Sequence, residues 1–397
     1  MAHTKHLIIG AGVSGMYIAM QLHQKGEPFT ILDMTDKPHT KLESIKEDKT
    51  KEDSPILEMG ASIFHTHQPK LLSLIKFFGL TDKIKPLNKS KRAFVYDHFP
   101  SFLTEDFFER LHKKLEQASK VSNRLLTIDE LALQTLSSQE YNLFTNAWDC
   151  WYEVCDMNAY VYFSTIEGQN CYLEGGLKQI SRKGWEMFGV VNDPVHSINY
   201  IPIKRKYIVE CKNTTYFSDH IYVCIGLEHL PKINWNRFTN AIYKMKDVAE
   251  IKSSMRYFVV LKQDLSVTGD SSSINLSRID VDEVIGDVIG RWWIQITPNI
   301  FMLYCDGPAA DHLETFGDNA IVKEWLHEIN TLFKLKLTHK DVKRTIRGYW
   351  KTAFEVLKPS YYITKLPQLP FVITSLPHPK DQAWMEGHLY SIFQKKV

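Results

Sequence analysis

The residues Gly10-Ala11-Gly12-Val13-Ser14-Gly15 follow directly on the apolar run His6-Leu7-Ile8-Ile9, and an acid, Asp33, closes a second apolar run, Phe29-Thr30-Ile31-Leu32. A strand, a Gly-x-Gly-x-x-Gly turn, a helix, a second strand and a terminal carboxylate are the parts that hold the ADP half of a dinucleotide. Gly10 permits the tight turn out of the strand, Gly12 lets the backbone approach a pyrophosphate, and Gly15 lets the helix lie close on the strand. The helix N-terminus presents N–H groups and a positive dipole end to the phosphates, so Gly10, Gly12, Ser14 and Gly15 form the phosphate-facing set. Asp33 stands 18 residues after Gly15, near the spacing expected of a carboxylate that takes ribose hydroxyls, and an acid there repels a 2′-phosphate. NADP is therefore disfavoured. A chance glycine-rich turn is the alternative. Against it stands the order of strand, triplet, helix (read as Met16 to Lys25), Gly26 as helix stop, second strand and acid.

Other side chains offer chemistry less directly. His65 and His67 sit two apart after Gly60-Ala61-Ser62, with no carboxylate or cysteine beside them to complete a metal site. They are either loop histidines with surface roles or groups that approach a ligand. Tyr349 and Trp350 would make an aromatic wall for an amine or cation, or pack in a core. Trp292 and Trp293 place one ring on each face of a strand. Arg256 and Arg291 are candidates to hold a substrate carboxylate, with ordinary salt bridging as the alternative. Cys150 and Cys155 lie among Trp148, Trp151 and Tyr152, which predicts buried thiols on a helix, not nucleophiles.

These groups need a scaffold, and 397 residues at 44% hydrophobic suffice for two intertwined domains. Lysine and arginine number 48 against 46 acids, so the net charge of +2 provides no field for nucleic acid. The six cysteines form no CxxC pair, as expected of free thiols in a reducing compartment. No window approaches 18 uninterrupted apolar residues, and the first strand begins too early for a signal peptide; a cytoplasmic protein without membrane contact is expected. Thr35 to Pro55 is polar and reads as a solvated, mobile loop.

Ile56 to Ser62 reads as a strand turning at Gly60, and Pro69 to Leu80 as a helix ending at Gly79. A helical layer is predicted between about 100 and 160, with Thr127-Ile128-Asp129-Glu130 as one helix start. After Gly175-Gly176, strand patterns occupy Val190 to Ile203, Tyr207 to Cys211 and His220 to Ile225. A second sheet is expected from Met255 to Leu261, Val284 to Ile289, Trp292 to Ile296 and Phe301 to Cys305. Asn319 to Phe333 should be a helix, Val342 to Trp350 a strand, and Gln382 to Gln394 a last helix after a proline-rich connector.

In this order of elements the chain resembles the FAD-dependent amine oxidases. Leu57-Glu58-Met59-Gly60-Ala61-Ser62 resembles their Glu-x-Gly-Ala segment, and Leu173-Glu174-Gly175-Gly176-Leu177 their Gly-Gly motif, which precedes a helix and then the strand on the adenine, here starting at Val195. Arg347-Gly348-Tyr349-Trp350 resembles the late strand with its tryptophan, and Trp384-Met385-Glu386-Gly387-His388 the closing helix start that faces the flavin pyrimidine. The resemblance implies an α/β fold: a Rossmann-like FAD-binding domain from residues 1–90, 170–235 and 346–397, with an interleaved mixed-sheet and helical substrate domain from 91–169 and 236–345. It implies non-covalent FAD, since no cysteine stands near the C-terminus, bound through Gly10, Gly12, Ser14, Gly15, Asp33, Gly60, Ala61, Ser62, Val195, Glu386 and Gly387. Trp350 and His65 are the implied catalytic positions, on a small-molecule amine or amino acid whose hydride passes to flavin and on to dioxygen.

Three departures are visible, one being that the family's Ala-Gly-Glu before the last helix is replaced by Ile373-Thr374-Ser375-Leu376-Pro377. The family's Gly-Gly-Arg loop is replaced by the charged run from Lys37 to Asp53, and the active-site lysine has Met255-Arg256 as its nearest match. Gly60-Ala61-Ser62-Ile63-Phe64-His65-Thr66 is also similar to a segment of UDP-galactopyranose mutases, which isomerise a sugar nucleotide. Three readings follow: an amine or amino-acid oxidase, a flavin-dependent mutase, and a degenerate flavin-fold protein with an interaction role.

Overall fold

The computed structural model describes residues 1–38, 41–87, 92–96, 99–100, 105–122, 124–148, 150–164, 168–265, 283–286, 288–362, 369–377 and 388–389. It divides into two compact units, one made of Met1–Leu87, Ser164–Ile251 and Phe354–Val397, the other of Asn88–Phe163 and Lys252–Ala353.

The chain begins β1 (Ala2–Ile9), α1 (Val13–Gln24), β2 (Phe29–Asp33), β3 (Ser44–Lys46), β4 (Ile56–Glu58), β5 (Phe64–His65), α2 (Pro69–Phe77) and β6 (Ile84–Pro86). It continues through β7 (Arg92–Tyr96), β8 (Phe99–Pro100), α3 (Glu105–Val121), α4 (Ile128–Thr135), α5 (Ser138–Ala147), α6 (Trp151–Val154) and α7 (Ala159–Phe163). Next come β9 (Asn170–Leu173), α8 (Lys178–Phe188), β10 (Val191–Asn192), β11 (Val195–Ile201), β12 (Lys206–Cys211), β13 (Thr215–Val223) and α9 (Thr239–Asp247). The remainder is β14 (Ala249–Leu261), β15 (Glu283–Gly286), β16 (Trp292–Thr297), β17 (Ile300–Asp306), α10 (Gly307–Glu314), α11 (Asp318–Phe333), β18 (Val342–Leu357) and β19 (Val372–Ile373).

In the first unit the sheet runs β10-β2-β1-β13-β12-β11, with β19 also on β13. β10, β2, β1, β13 and β19 are mutually parallel, while β12 and β11 turn back antiparallel. Successive side chains on a strand point to opposite faces. Ile8 and Ile31 thus pack on one side with α1, α2 and α8, and Leu7, Ile9, Leu32, Ile221 and Val223 on the other with Trp235, Ile242 of α9 and Phe371. Burial on both faces is why these strands read as continuous apolar runs.

The segment expected to be a mobile loop is built otherwise. β3 pairs antiparallel with β4 through Ser44↔Glu58, Ile45↔Leu57 and Lys46↔Ile56, and Leu42 and Leu57 are buried. Backbone pairing, the buried Leu42 and the Ser44 and Glu43 side chains anchor the run, which composition does not report. α1 begins a turn earlier than expected, at Val13, and α2 stops at Phe77, two residues before Gly79.

The second unit's sheet runs β18-β14-β17-β16-β15-β7-β8. Met255, Tyr257, Trp293, Leu303 and Cys305 form its main core with Leu313 of α10 and Ile321, Trp325 and Ile329 of α11. Trp292 takes the other face, edge-on to Tyr304 at 5.6 Å, so the two tryptophans divide as alternation requires. The helical layer expected between 100 and 160 is α3 to α7. Thr127 opens α4 with a capping box to Glu130, and Ser137 opens α5 with one to Glu140. Among the described residues no helix is long and apolar enough to cross a membrane.

Candidate functional site

β1, β2, β13 and β19 all end at one edge of the first unit's sheet, where Ile9 lies beside Leu32 and Val223, and Val223 beside Ile373. Ligands of open parallel sheets bind at such carboxyl ends. Gly10 turns there with φ +100, and a Cβ on it would lie 2.4 Å from the Cys224 carbonyl oxygen; a Cβ on Gly15 would lie 2.0 Å from that of Gly10. Both positions therefore require glycine. Gly12 differs, since a Cβ there meets nothing within 4 Å. It caps α1 without a side-chain hydrogen bond, and the first turn carries no acid, so the helix N-terminus faces open space. Ser14 is buried within that first turn.

Asp33 ends β2 with one carboxylate oxygen accepting from the Ala11 N–H at 2.8 Å and the other from the Thr35 N–H and hydroxyl. The acid is thus pinned against the glycine turn.

The motifs around residues 58 and 175 come together. Leu177 N–H donates to Glu58 at 2.8 Å, Lys178 N–H to the Ser44 hydroxyl at 3.1 Å, and the Lys178 ammonium pairs with Glu43. Ala61 N–H donates to Lys41 carbonyl at 2.9 Å, which fixes Gly60, Ala61 and Ser62 against the β3 hairpin. Beyond them His65 is buried, its ring 5.0 Å from that of His67. Burial first, and then the neighbouring His67, bring the His65 imidazole down to about 4, so it is neutral at physiological pH. Val195 opens β11, opposite Cys211. Glu386 and Gly387, with Trp384 and most of the expected last helix, lie outside the described residues.

Trp350 is half-buried on β18 in the second unit. Tyr349 does not form a wall with it: it packs on the second unit's main core, donates to Asp311 at 2.7 Å, and alternation puts the adjacent side chain on the opposite face. Cys155 is buried and its thiol is pushed up to about 12, by burial and then by Asp156, which removes it as a nucleophile. Cys150 is only half-buried, precedes the short α6 and is not within it.

Two groups escaped sequence reasoning. Glu355, 2% exposed, receives the Lys41 ammonium at 3.3 Å, the His388 ring at 3.4 Å and the Leu227 N–H at 3.4 Å. Burial alone would raise its carboxyl, but Lys41 and His388 outweigh burial and bring it to about 2. The second is Lys252 on β14, buried in an ion pair with Asp156. Because β14 starts at Ala249, a lysine does stand on the strand where Met255-Arg256 had seemed the nearest match. The polar residues Glu250 and Lys252 had masked the strand's start.

Lys252 and Asp156 line a chamber of about 480 Å³ in the second unit, together with Asp129, Tyr141, Tyr152 and Arg291.

A family model described as flavin containing amine oxidoreductase matches residues 13–363 of the chain. No curated protein matches the sequence. Among solved structures, wild-type putrescine oxidase bound to putrescine is similar over 98% of this chain and 97% of its own, with TM-score 0.75 and 13% identity. Cyclohexylamine oxidase from Brevibacterium oxydans is similar over 98% of this chain and 96% of its own, with TM-score 0.75 and 14% identity.

Proposed function

Because the chain belongs to the family of flavin-containing amine oxidoreductases, we propose that it oxidises a C–N bond of a small amine or amino acid, using non-covalent FAD and dioxygen. Overall, amine, dioxygen and water become a carbonyl compound, ammonia and hydrogen peroxide. The flavin, when bound, accepts the hydride from the carbon beside the nitrogen; the protein supplies orientation, dryness and field.

The observation that carries the FAD reading is the uncapped N-terminus of α1 beside the pinned Asp33 carboxylate. In this reading Gly10, Gly12, Ser14 and Gly15 receive the pyrophosphate and Asp33 the ribose. Gly60, Ala61 and Ser62 support the flavin from the clamped hairpin, Val195 the adenine, and Glu386 and Gly387 the pyrimidine. In this reading Lys252, on β14, is a candidate counterpart of the family's strand lysine. His65 stays neutral and serves as a hydrogen-bonding group, and Trp350 offers a face to an amine. The absence of a CxxC pair and the near-zero net charge support a cytoplasmic enzyme with a small-molecule substrate, without nucleic-acid or membrane partners.

The test is the absorption spectrum of the purified protein before and after heat denaturation, followed by peroxide production on amine addition. Flavin bands released to the supernatant and peroxide formation support the reading. A colourless protein that takes up no added FAD overturns it in favour of an interaction role. Turnover of UDP-galactopyranose only with reduced flavin would favour the mutase alternative.

A further inference from the structure

A pyrophosphate carries two negative charges, and Asp33 places a third beside the glycine turn. The uncapped N-terminus of α1 answers them with N–H groups and a dipole alone. A side-chain cation would add the full countercharge that the dipole lacks. No arginine precedes Arg92, so the residues that lead through β1, β2 and the β3–β4 hairpin offer lysines for that task. Lys41 is built into the edge where the turn lies.

Gly10 lies against the Cys224 carbonyl, and a little further along that loop the Leu227 N–H donates to a Glu355 carboxylate oxygen at 3.4 Å. The Lys41 ammonium donates to that same oxygen at 3.3 Å. From the other side the Lys41 carbonyl accepts from the Ala61 N–H at 2.9 Å, and a Cβ on Gly60 would come within 1.9 Å of it. Leu42 is buried in the same core as Ala11 and Met16, which flank the start of α1. Lys41 is thus fixed by its backbone, its neighbour and its charge, between the loop beside the glycine turn and the Gly60-Ala61-Ser62 segment. Glu355 is 2% exposed and the lysine side chain 38%, so the carboxylate holds the ammonium from beneath. With that carboxyl at about 2, the tether persists at physiological pH. An ammonium has three N–H donors, and among the described residues Glu355 is its one acceptor.

We infer that Lys41, tethered by Glu355, supplies the side-chain cation for the pyrophosphate of the dinucleotide, a charge that no residue of the glycine turn provides. The inference rests on the dinucleotide reading and adds to it a residue outside the glycine motif, anchored by a glutamate 314 positions away.

Calorimetric titration of the full chain, freed of flavin, with FAD, ADP and adenosine tests it, because ADP and adenosine differ only by the phosphates. Lys41→Met should weaken FAD and ADP by about 10- to 100-fold, the worth of a charged hydrogen bond, and leave adenosine within about twofold. Lys41→Arg, which keeps the charge, should stay within about threefold of wild type for ADP. Lys51→Met removes the same charge from the exposed loop between β3 and β4, and should change ADP binding by less than about twofold. The gap between wild type and Lys41→Met should narrow at high salt. Lys41→Met combined with Glu355→Gln removes cation and anion together, leaves no buried charge unpaired, and should show the same selective loss of ADP; it decides the matter if the single variant does not fold. ADP binding unmoved by Lys41→Met, lowered equally by Lys51→Met, or lost in step with adenosine overturns the inference and leaves the dinucleotide reading standing. Wild-type protein that binds neither FAD nor ADP overturns both.

Discussion

Each unit buries a glutamate, and the two behave oppositely. Glu355 in the first unit and Glu328 in the second are 2% and 9% exposed, so both lose most of their hydration. Among the described residues Glu328 accepts from the Ile289 N–H and meets no cation, and burial pushes its carboxyl up to about 8. Glu355 suffers the same burial but faces Lys41 and His388, and its carboxyl falls to about 2. Burial sets the cost of the charge, and the partner decides whether the charge is kept. One glutamate is an anion tying together the segment before β3, the loop after β13, the end of β18 and the residue His388. The other is a brace whose charge depends on pH.

The comparison can be broken from four sides. Glu328 has a folded value above the unfolded one, so its contribution is fully present below about 4.5 and is lost as pH rises toward 8. Glu328→Gln, which still accepts from Ile289, should therefore be more stable than wild type at pH 8 by roughly 3 kcal/mol and nearly equal to it at pH 4.5, as read by denaturant unfolding. Glu355 has the opposite sign: its contribution is present above about 4.5 and is lost as pH falls toward 2. Glu355→Gln should lose roughly 2–3 kcal/mol at pH 7, with the gap to wild type closing on acidification. Lys41→Met removes the ammonium that faces Glu355, so the Glu355 carboxyl should rise and acid unfolding begin at higher pH, costing about 1–2 kcal/mol at pH 7. The smallest effect belongs to Glu324→Gln, which removes the like charge that raises Glu328. The upper end of the alkaline loss should move down by a few tenths of a pH unit and the loss itself shrink, by about 0.5 kcal/mol or less.

What the sequence discloses follows from how local each feature is. The strand, glycine turn, helix and Asp33 occupy 33 consecutive residues, and their geometry is imposed by backbone contacts that only glycine tolerates, so composition and spacing reveal them. The Thr127 and Ser137 capping boxes are equally local, and the first is legible in Thr127-Ile128-Asp129-Glu130. Lys41 and Glu355 are 314 positions apart, and Lys252 and Asp156 are 96 apart. Neither member of either pair breaks its own local pattern in a way that names its partner. The β3–β4 hairpin is hidden for a different reason, since main-chain pairing holds it together and its charged side chains resemble those of a solvated loop.

The place of β1 in its sheet carries a consequence for synthesis of the chain. Ala2 pairs with Tyr216 and Ile9 with Val223, so β1 has one neighbour within 33 residues and waits for the other until more than 200 further residues have been added. At roughly 5–20 residues per second the glycine turn spends about 10–40 s with one side of β1 unpaired, exposing an apolar edge to whatever else is nearby.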